Sequence, residues 1–529
     1  MKVLITDGLS KEGLSILESS GKLDIDERKG IPKEELLEII KDYDAVIIRS
    51  ATKLTSDIIE AAGANLKAIG RAGIGVDNVD VEQATKRGIV VMNTPEANAI
   101  TTAEHTITIL LSLARKIPQA HSSLIAGKWE RNKFKGIELY GKTIGFIGLG
   151  NIGKLVAERA IGLKMKAIAY DPYLNEEATS KIGVSSVTLD ELLKNSDIIT
   201  VHTPLNKETK NLINKNSINK MKDGAIIINC ARGGITNEAD LFEAIKSGKI
   251  AGAALDVYEN EPPDKENPLF SLKDNVVFTP HLGASTEEAQ TKVGVAIAEQ
   301  VSNFLLNGVV RNAVNMPSLS GEMLNKMRPY LNLAEKLGSL HGQLCKGAIK
   351  EVHITYSGEV SFYDIAPITV SAIKGLLSPI MDMVISPVNA PVIAKERGIK
   401  IVESRSNEPQ DYTSLITLKV STDEGDCEIS STIFGKEEPR FVNINGVSID
   451  VIPQGFLLVS ENYDRPGFIG SMTSILGKHN VNIGLMHLGR EGIGGRAIVF
   501  TNVDSPVSQE AIDEISKLPD IISVTQVKF

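Results

Sequence analysis

A chain of 529 residues is too long for one hydrophobic core and points to three or four domains. With 42% apolar and 23% charged residues, a net charge of -9 and no long run of Lys or Arg, its composition is that of an ordinary soluble protein. The missing basic patch argues against nucleic acid or an anionic membrane as a partner.

The chain begins with a strand-like run, Lys2–Ile5, lacking the plan of a signal peptide, and no apolar stretch approaches the ~18–20 residues that span a bilayer. Cys230, Cys345 and Cys427 are odd in number and far apart in sequence. That pattern excludes a disulfide framework or a CxxC metal site, leads us to expect no bound metal, and suits a cytoplasmic protein.

Residues 1 to about 312 alternate short Val/Ile-rich runs with amphipathic stretches, the pattern of a parallel sheet covered by helices. The expected strands include Ala45–Ile48, Lys67–Gly70, Ile89–Met92, Thr143–Ile147, Lys166–Tyr170, Ile198–Val201 and Ala225–Asn229. Long apolar helices over 101–114 and 287–305 flank the central block and suggest one domain inserted into another, with the chain crossing twice.

Between a clear strand and a clear helix stand Gly148, Gly150 and Gly153, with Asn151 and Ile152 between the last two: a GxGxxG turn. Its glycines permit the tight turn, the approach of a pyrophosphate and close helix–strand packing, and the helix N-terminus attracts the phosphates. Asp171 ends the next strand, eighteen residues after Gly153. An acid there accepts hydrogen bonds from ribose hydroxyls and repels a 2′-phosphate, which favours NAD over NADP. His202, Thr203 and Pro204 end a further strand and are expected to line the cofactor.

Three charged residues follow expected strands in the same block: Arg232 after Ala225–Asn229, Glu261 after 253–257 and His281 after 276–279. A histidine suits the transfer of a hydroxyl proton, a carboxylate beside it fixes the tautomer, and an arginine fork suits a planar carboxylate. Together beside a dinucleotide motif they point to oxidation of a hydroxy acid.

Residues 317–452 read as a further α/β region. The last 75 residues read strand–helix–strand–strand–helix–strand, a ferredoxin-like order.

On these motifs, together with Arg49–Lys53, Gly70–Asp80 and Asn93–Asn98, the chain resembles the D-isomer-specific 2-hydroxyacid dehydrogenases. Within them it is similar to the long branch that oxidises 3-phosphoglycerate with NAD, the first step of L-serine biosynthesis. The resemblance implies a Rossmann-type nucleotide-binding domain (98–284) inserted in a flavodoxin-like substrate domain (1–97 and 285–312). An intervening domain (317–452) and a C-terminal ACT domain (455–529) follow.

It further implies His281 as acid/base, Glu261 as its partner and Arg232 as carboxylate anchor, with Gly73 and Gly75 assisting. Arg49, Ser50, Arg71 and Asn98 would line the phosphate end. Ile74, Cys230, Asp256, Gly283 and Ala284 would lie beside the cofactor, Asp256 at its carboxamide. The basic cluster Lys128, Arg131, Lys133 and Lys135 around Trp129 would reach the phosphate site of a second subunit, or is simply solvated.

In the ACT region Asn462, Asp464 and Asn482 would bind an amino-acid effector, L-serine by inference. The chain is expected to form a dimer or tetramer. The alternatives are another 2-hydroxyacid dehydrogenase, such as a glyoxylate or hydroxypyruvate reductase, and a non-catalytic NAD-sensing binding protein.

Overall fold

The computed structural model describes residues 1–95, 97–174, 176–317, 321–406, 411–435 and 437–529; Glu96 of the Asn93–Asn98 motif lies outside them. Four sheets follow one another along the chain.

The first contains β1 (Lys2–Ile5), β2 (Asp24–Glu27), β3 (Ala45–Ile48), β4 (Ala68–Arg71) and β5 (Val90–Met92), in the order β2-β1-β3-β4-β5 and all parallel. β4 runs one residue beyond the expected strand because Arg71 pairs in register with Ile48. Arg71 therefore stands at the carboxyl end of a central strand, where open α/β sheets hold ligands.

The helix Ala99–Ala114 carries the chain out of this sheet, and Glu287–Asn307 returns it. The returning helix lies directly on β4. A Cβ added at Gly70 would come within 2.8 Å of Val301 and 3.0 Å of Ile297, so only glycine admits the helix at this distance. Gly308, with φ +68°, ends it.

The inserted block builds the second sheet from β6 (Thr143–Ile147), β7 (Lys166–Tyr170), β8 (Ser185–Ser186), β9 (Ile198–Val201), β10 (Ala225–Asn229), β11 (Ile250–Leu255) and β12 (Val276–Phe278). Its order is β12-β11-β10-β9-β6-β7-β8, every neighbouring pair parallel. The winding reverses between β6 and β9, so the loop after β6 opens into the crevice where a doubly wound sheet binds its ligand. Strands buried on both faces explain the continuous Ile/Val runs, such as Ala225–Asn229, whose five residues are all buried.

The third sheet is mixed: β13 (Ile349–Gly358) pairs parallel with β14 (Lys400–Ser406) and antiparallel with β15 (Ser414–Thr422). β16 (Asp426–Phe434), β17 (Glu438–Ile444) and β18 (Val447–Val451) continue it as antiparallel neighbours. Helices Gly321–Leu344 and Ala366–Leu377 pack together through glycines: a Cβ at Gly338 or Gly375 would fall 2.0 Å from a carbonyl oxygen of the other helix.

The fourth sheet has β19 (Phe456–Tyr463), β20 (Ile483–Arg490), β21 (Arg496–Val503) and β22 (Ile521–Lys528) in the order β20-β21-β19-β22, fully antiparallel. This is the expected βαββαβ arrangement. One face of the fourth sheet shares a core with the third: Leu457, Val459, Ile498, Phe500 and Val527 cluster with Phe441 and Val451. Among the described residues no helix is long and apolar enough to cross a membrane.

Candidate functional site

The loop after β6 is shaped by its three glycines. Gly148 has φ +90°, and a Cβ there would sit 2.7 Å from the His202 carbonyl oxygen. At Gly153 a Cβ would meet the Gly148 oxygen at 2.5 Å, whereas at Gly150 nothing lies within 4 Å. The outer glycines thus let the helix Asn151–Gly162 close on the strand, and the middle one leaves an open cradle.

That helix starts without a side-chain cap, so the first-turn N–H groups, including those of Asn151 and Ile152, lack intrahelical partners and face an incoming anion. Thr203 Oγ1 is buried beside the loop with no hydrogen-bond partner. Asp171, at the end of β7, is held in place by the N–H groups of Leu149 (2.8 Å) and Tyr173 (2.9 Å). His202 stacks on Phe146, and burial pushes its pKa down to about 3, so it stays neutral. Pro204 contributes its carbonyl to a bond from Thr209. The Cys230 thiol is pushed up to about 12 by burial and is unreactive. A cradle, a free helix terminus and an orphaned hydroxyl together suit a dinucleotide.

Asp256 is fully buried behind β11 and organises the loop after β12. Its carboxylate accepts from Thr279 Oγ1 (2.6 Å), the N–H of Leu282 (2.7 Å) and the N–H of Gly283 (2.8 Å), and meets His105 Nε2 at 3.2 Å. Burial opposes its charge, yet the bonds from His105, Thr279 and Leu282 outweigh it and keep the carboxyl below its ordinary pKa. Its two oxygens are thus engaged within the protein. A Cβ on Gly283 would stand 3.1 Å from this carboxylate. Ala284 follows in the same turn.

Wrapping this turn around Asp256 puts His281 at φ +55°, in the left-handed region. His281 Nδ1 lies 2.7 Å from Glu261 Oε2, while Glu261 Oε1 accepts from the Tyr258 N–H at 3.1 Å. The bond to Glu261 raises the histidine pKa above its ordinary value, against an opposing effect of burial. This contact assigns the Nδ1–H tautomer and leaves Nε2 as the basic nitrogen.

Facing this pair, the turn 73–75 carries two guanidinium groups. A Cβ at Gly73 would lie 1.5 Å from Arg71 Nη1, and one at Gly75 would lie 1.7 Å from Arg232 Nη2. Arg71 comes from the first sheet and Arg232 from the second, so the turn joins the two halves. Arg232 Nε donates to Asp77 at 2.6 Å. Burial first, then the positive charges of Arg232 and Arg49, bring the Arg71 guanidinium down to about 10, and its Nε is buried without a partner.

Arg49 and Ser50 belong to a loop pinned by Asp7, which accepts from the N–H groups of Arg49 (2.7 Å) and Thr52 (3.0 Å). Asn78 holds the same loop through the Arg49 and Thr52 carbonyls. Asn98 is buried at the start of its helix, and its Oδ1 caps nothing and has no partner. Asn93 steadies the turn by donating to the Ile74 carbonyl at 2.6 Å.

His105, Asp77, Thr279, Asp7 and Asn78 also shape the site, although the sequence does not mark any of them as a site residue. A polar His105 in the apolar run 101–114 was the one available signal. The expected effector residues are not all brought together. Asn462 is buried with its Oδ1 unpartnered, and nearby Asp464 pairs with Arg490 at 2.9 Å. Asn482 donates to Asp504 at 2.7 Å, at the other end of β21, because Asn462 pairs with Ala497 and Ile483 with Val503. The basic cluster occupies an exposed arm, where Trp129 is 78% exposed and Lys133 lies over the Phe134 ring.

Residues 107–283 match the model of the D-isomer specific 2-hydroxyacid dehydrogenase NAD-binding domain. Residues 326–445 match the D-3-phosphoglycerate dehydrogenase intervening domain, and 456–520 the ACT domain. The D-3-phosphoglycerate dehydrogenases of Archaeoglobus fulgidus and Methanocaldococcus jannaschii are each 46% identical over the whole of both chains. This chain belongs to the D-3-phosphoglycerate dehydrogenase family.

The enzyme of that name from Bacillus subtilis is 42% identical over 99% of this chain and 98% of its own. Among solved structures, a glyoxylate reductase from Paecilomyes thermophila matches 59% of this chain and 98% of its own, with a TM-score of 0.56 and 29% identity. D-lactate dehydrogenase from Escherichia coli matches 59% of this chain and 100% of its own (TM-score 0.53, 28% identity). The block 107–283 is therefore the NAD-binding domain of an NAD-dependent dehydrogenase.

Gly75→Ala is expected to displace the Arg232 head and lower kcat/KM for the acid substrate roughly 10- to 100-fold. NADH affinity, measured by fluorescence titration, should be unchanged.

Proposed function

We propose that the chain oxidises D-3-phosphoglycerate to 3-phosphohydroxypyruvate with NAD, in the cytoplasm, as the first step of L-serine biosynthesis. The observation that carries this reading is the crowding of Arg71 and Arg232 around one glycine turn, with the charge of Arg49 acting on Arg71 and that of Arg232 on His281 of the His281–Glu261 pair. The substrate brings about three negative charges, and a buried guanidinium destabilised by two like charges is matched by a polyanion.

The roles follow from position. Arg232, with N–H groups of Gly73 and Gly75, holds the carboxylate; Arg49, Ser50, Arg71 and Asn98 hold the phosphate. His281 Nε2 takes the proton of the C2 hydroxyl, and Glu261 at Nδ1 stabilises the imidazolium that forms. The turn 148–153, Asp171, Thr203, Pro204, the buried Cys230 and Gly283, and Ala284 hold NAD, which when bound supplies the hydride acceptor. Asp256 acts by positioning the His281 loop.

The same reading assigns 1–97 with 285–312 to substrate, 98–284 to NAD, 317–452 to the intervening unit and 455–529 to an L-serine sensor. Asn462 and Asp464 form the sensor's recognition end. Asn482 reaches such a site only from a second chain. A second copy also covers the exposed apolar side chains Ile117, Leu124, Ile125 and Trp129 on the arm after the helix Ala99–Ala114.

The test is NADH formation with D-3-phosphoglycerate, D-glycerate and D-lactate, with and without L-serine. Turnover is expected for the phosphorylated acid, with inhibition by serine; faster turnover of an unphosphorylated acid, or NADH binding without turnover, would overturn the reading. His281→Ala should lower kcat by roughly 10²- to 10⁴-fold.

Oxidation needs neutral His281, so the acid limb of the pH profile lies above the ordinary imidazole pKa. Glu261→Gln removes the cause of that elevation and should move the limb to lower pH while slowing the rate. A limb that stays in place would show that Glu261 does not act on His281.

For the assembly, light scattering should give a dimer or tetramer, and Leu124→Asp with Ile125→Asp should yield smaller species. An unchanged mass would rule this arm out as the interface.

A further inference from the structure

His341, Cys345 and Cys427 form a cluster that the dehydrogenase chemistry does not use. The two cysteines are 82 positions apart in sequence, and their spacing gave no sign of a site. His341 lies in the last turn of the helix Gly321–Leu344, and the Cys345 N–H donates to the His341 carbonyl at 2.8 Å. One helical turn therefore projects imidazole and thiol from one face. Cys427, the second residue of β16, comes up opposite them, its register fixed by pairing with Val420.

One donor atom from each of the three residues lies within 4.8 Å of the other two. Cys345 Sγ stands 3.6 Å from His341 Nδ1. All three cysteines of the chain are free thiols.

Tetrahedral zinc, with Zn–S of about 2.3 Å and Zn–N of about 2.0–2.1 Å, separates a sulfur and a nitrogen ligand by about 3.6 Å and two sulfurs by about 3.8 Å. The Cys345–His341 pair is already at this spacing, and the other donor pairs lie within 4.8 Å. His341 is wholly buried, with Nδ1 against the Cys345 sulfur and the Cys427 sulfur within the same cluster. In the metal-free chain a thiol–imidazole contact and a thiol–thiol contact between Cys345 and Cys427 hold the three side chains together, the second sulfur coming from a different element.

We propose that His341, Cys345 and Cys427 bind a thiolate-preferring transition-metal ion of the zinc class. Two thiolates and one imidazole make a soft site that disfavours magnesium and calcium. Binding releases the two thiol protons and forms two metal–sulfur bonds and one metal–nitrogen bond. No fourth His, Cys or carboxylate joins the cluster among the described residues, so the fourth position is left to water or a small ligand.

The location gives the ion a structural consequence. Cys345 and Cys427 pack on the core shared by the third and fourth sheets. One residue away from the helix end, Gln343 exchanges two hydrogen bonds with the Lys528 backbone, at 2.9 and 3.0 Å. An ion here would pin the helix end to β16 at the seam with the ACT unit.

The test uses the full-length chain, stripped with a chelator and titrated with Co2+. One equivalent per chain should develop near-ultraviolet thiolate-to-cobalt charge transfer and the strong visible bands of tetrahedral cobalt, and Zn2+ should abolish both. Cys345→Ser and Cys427→Ser should each lose the charge-transfer intensity, and Cys230→Ser should retain it. In the unaltered chain, Zn2+ should slow alkylation of Cys345 and Cys427 at least about tenfold, read peptide by peptide in a mass spectrometer. This second measurement requires no variant to fold. Absence of the charge-transfer band, its survival in Cys427→Ser, or equal alkylation with and without Zn2+ would overturn the proposal.

Discussion

Like charges held close together raise one another's energy unless an opposite charge joins them, and the centre of this molecule is built on that constraint. Arg71 and Arg232 rest over alternate residues of the turn 73–75, where any side chain at Gly73 or Gly75 would occupy the position of a guanidinium nitrogen. Arg49 adds a third positive charge, and Asp77 offsets part of the sum through Arg232. Folding alone leaves Arg71 Nε without a partner. Such a concentration of positive charge suits an anion of more than one charge.

The fold brings these charges together by placing the ends of two parallel sheets face to face. The glycine at Gly70 lets the returning helix lie on β4, which fixes the strand whose last residue is Arg71. On the opposing sheet, buried Asp256 gathers Thr279, the N–H groups of Leu282 and Gly283, and His105, and so presents His281 to Glu261. Asp256 thus sets the shape of the loop, and Glu261 the proton affinity of its histidine.

The parts legible in the sequence are those written in local patterns. Continuous apolar runs marked the strands of the second sheet, the glycine turn marked its crevice, and the strand–helix alternation after residue 455 marked the fourth sheet. Arg232, Glu261 and His281 were legible because each follows a strand of one sheet. What stayed hidden depends on distant pairings. His105 lies in an apolar helical run and meets Asp256 only through a contact 151 positions away. Asn482 and Asp464 looked like neighbours until the register of β21 put them at its opposite ends. The pairing of Cys345 with Cys427 needed the packing of a helix end on β16.

The most direct measurement of the central claim is the selectivity between D-3-phosphoglycerate and D-glycerate in the unaltered chain and in Arg71→Met. If the arginine cluster exists to hold a second anionic group, kcat/KM for the phosphorylated acid should fall roughly 10- to 100-fold. The value for D-glycerate should change by no more than about twofold. An equal fall for both acids would contradict the account and make Arg71 a support of the fold alone.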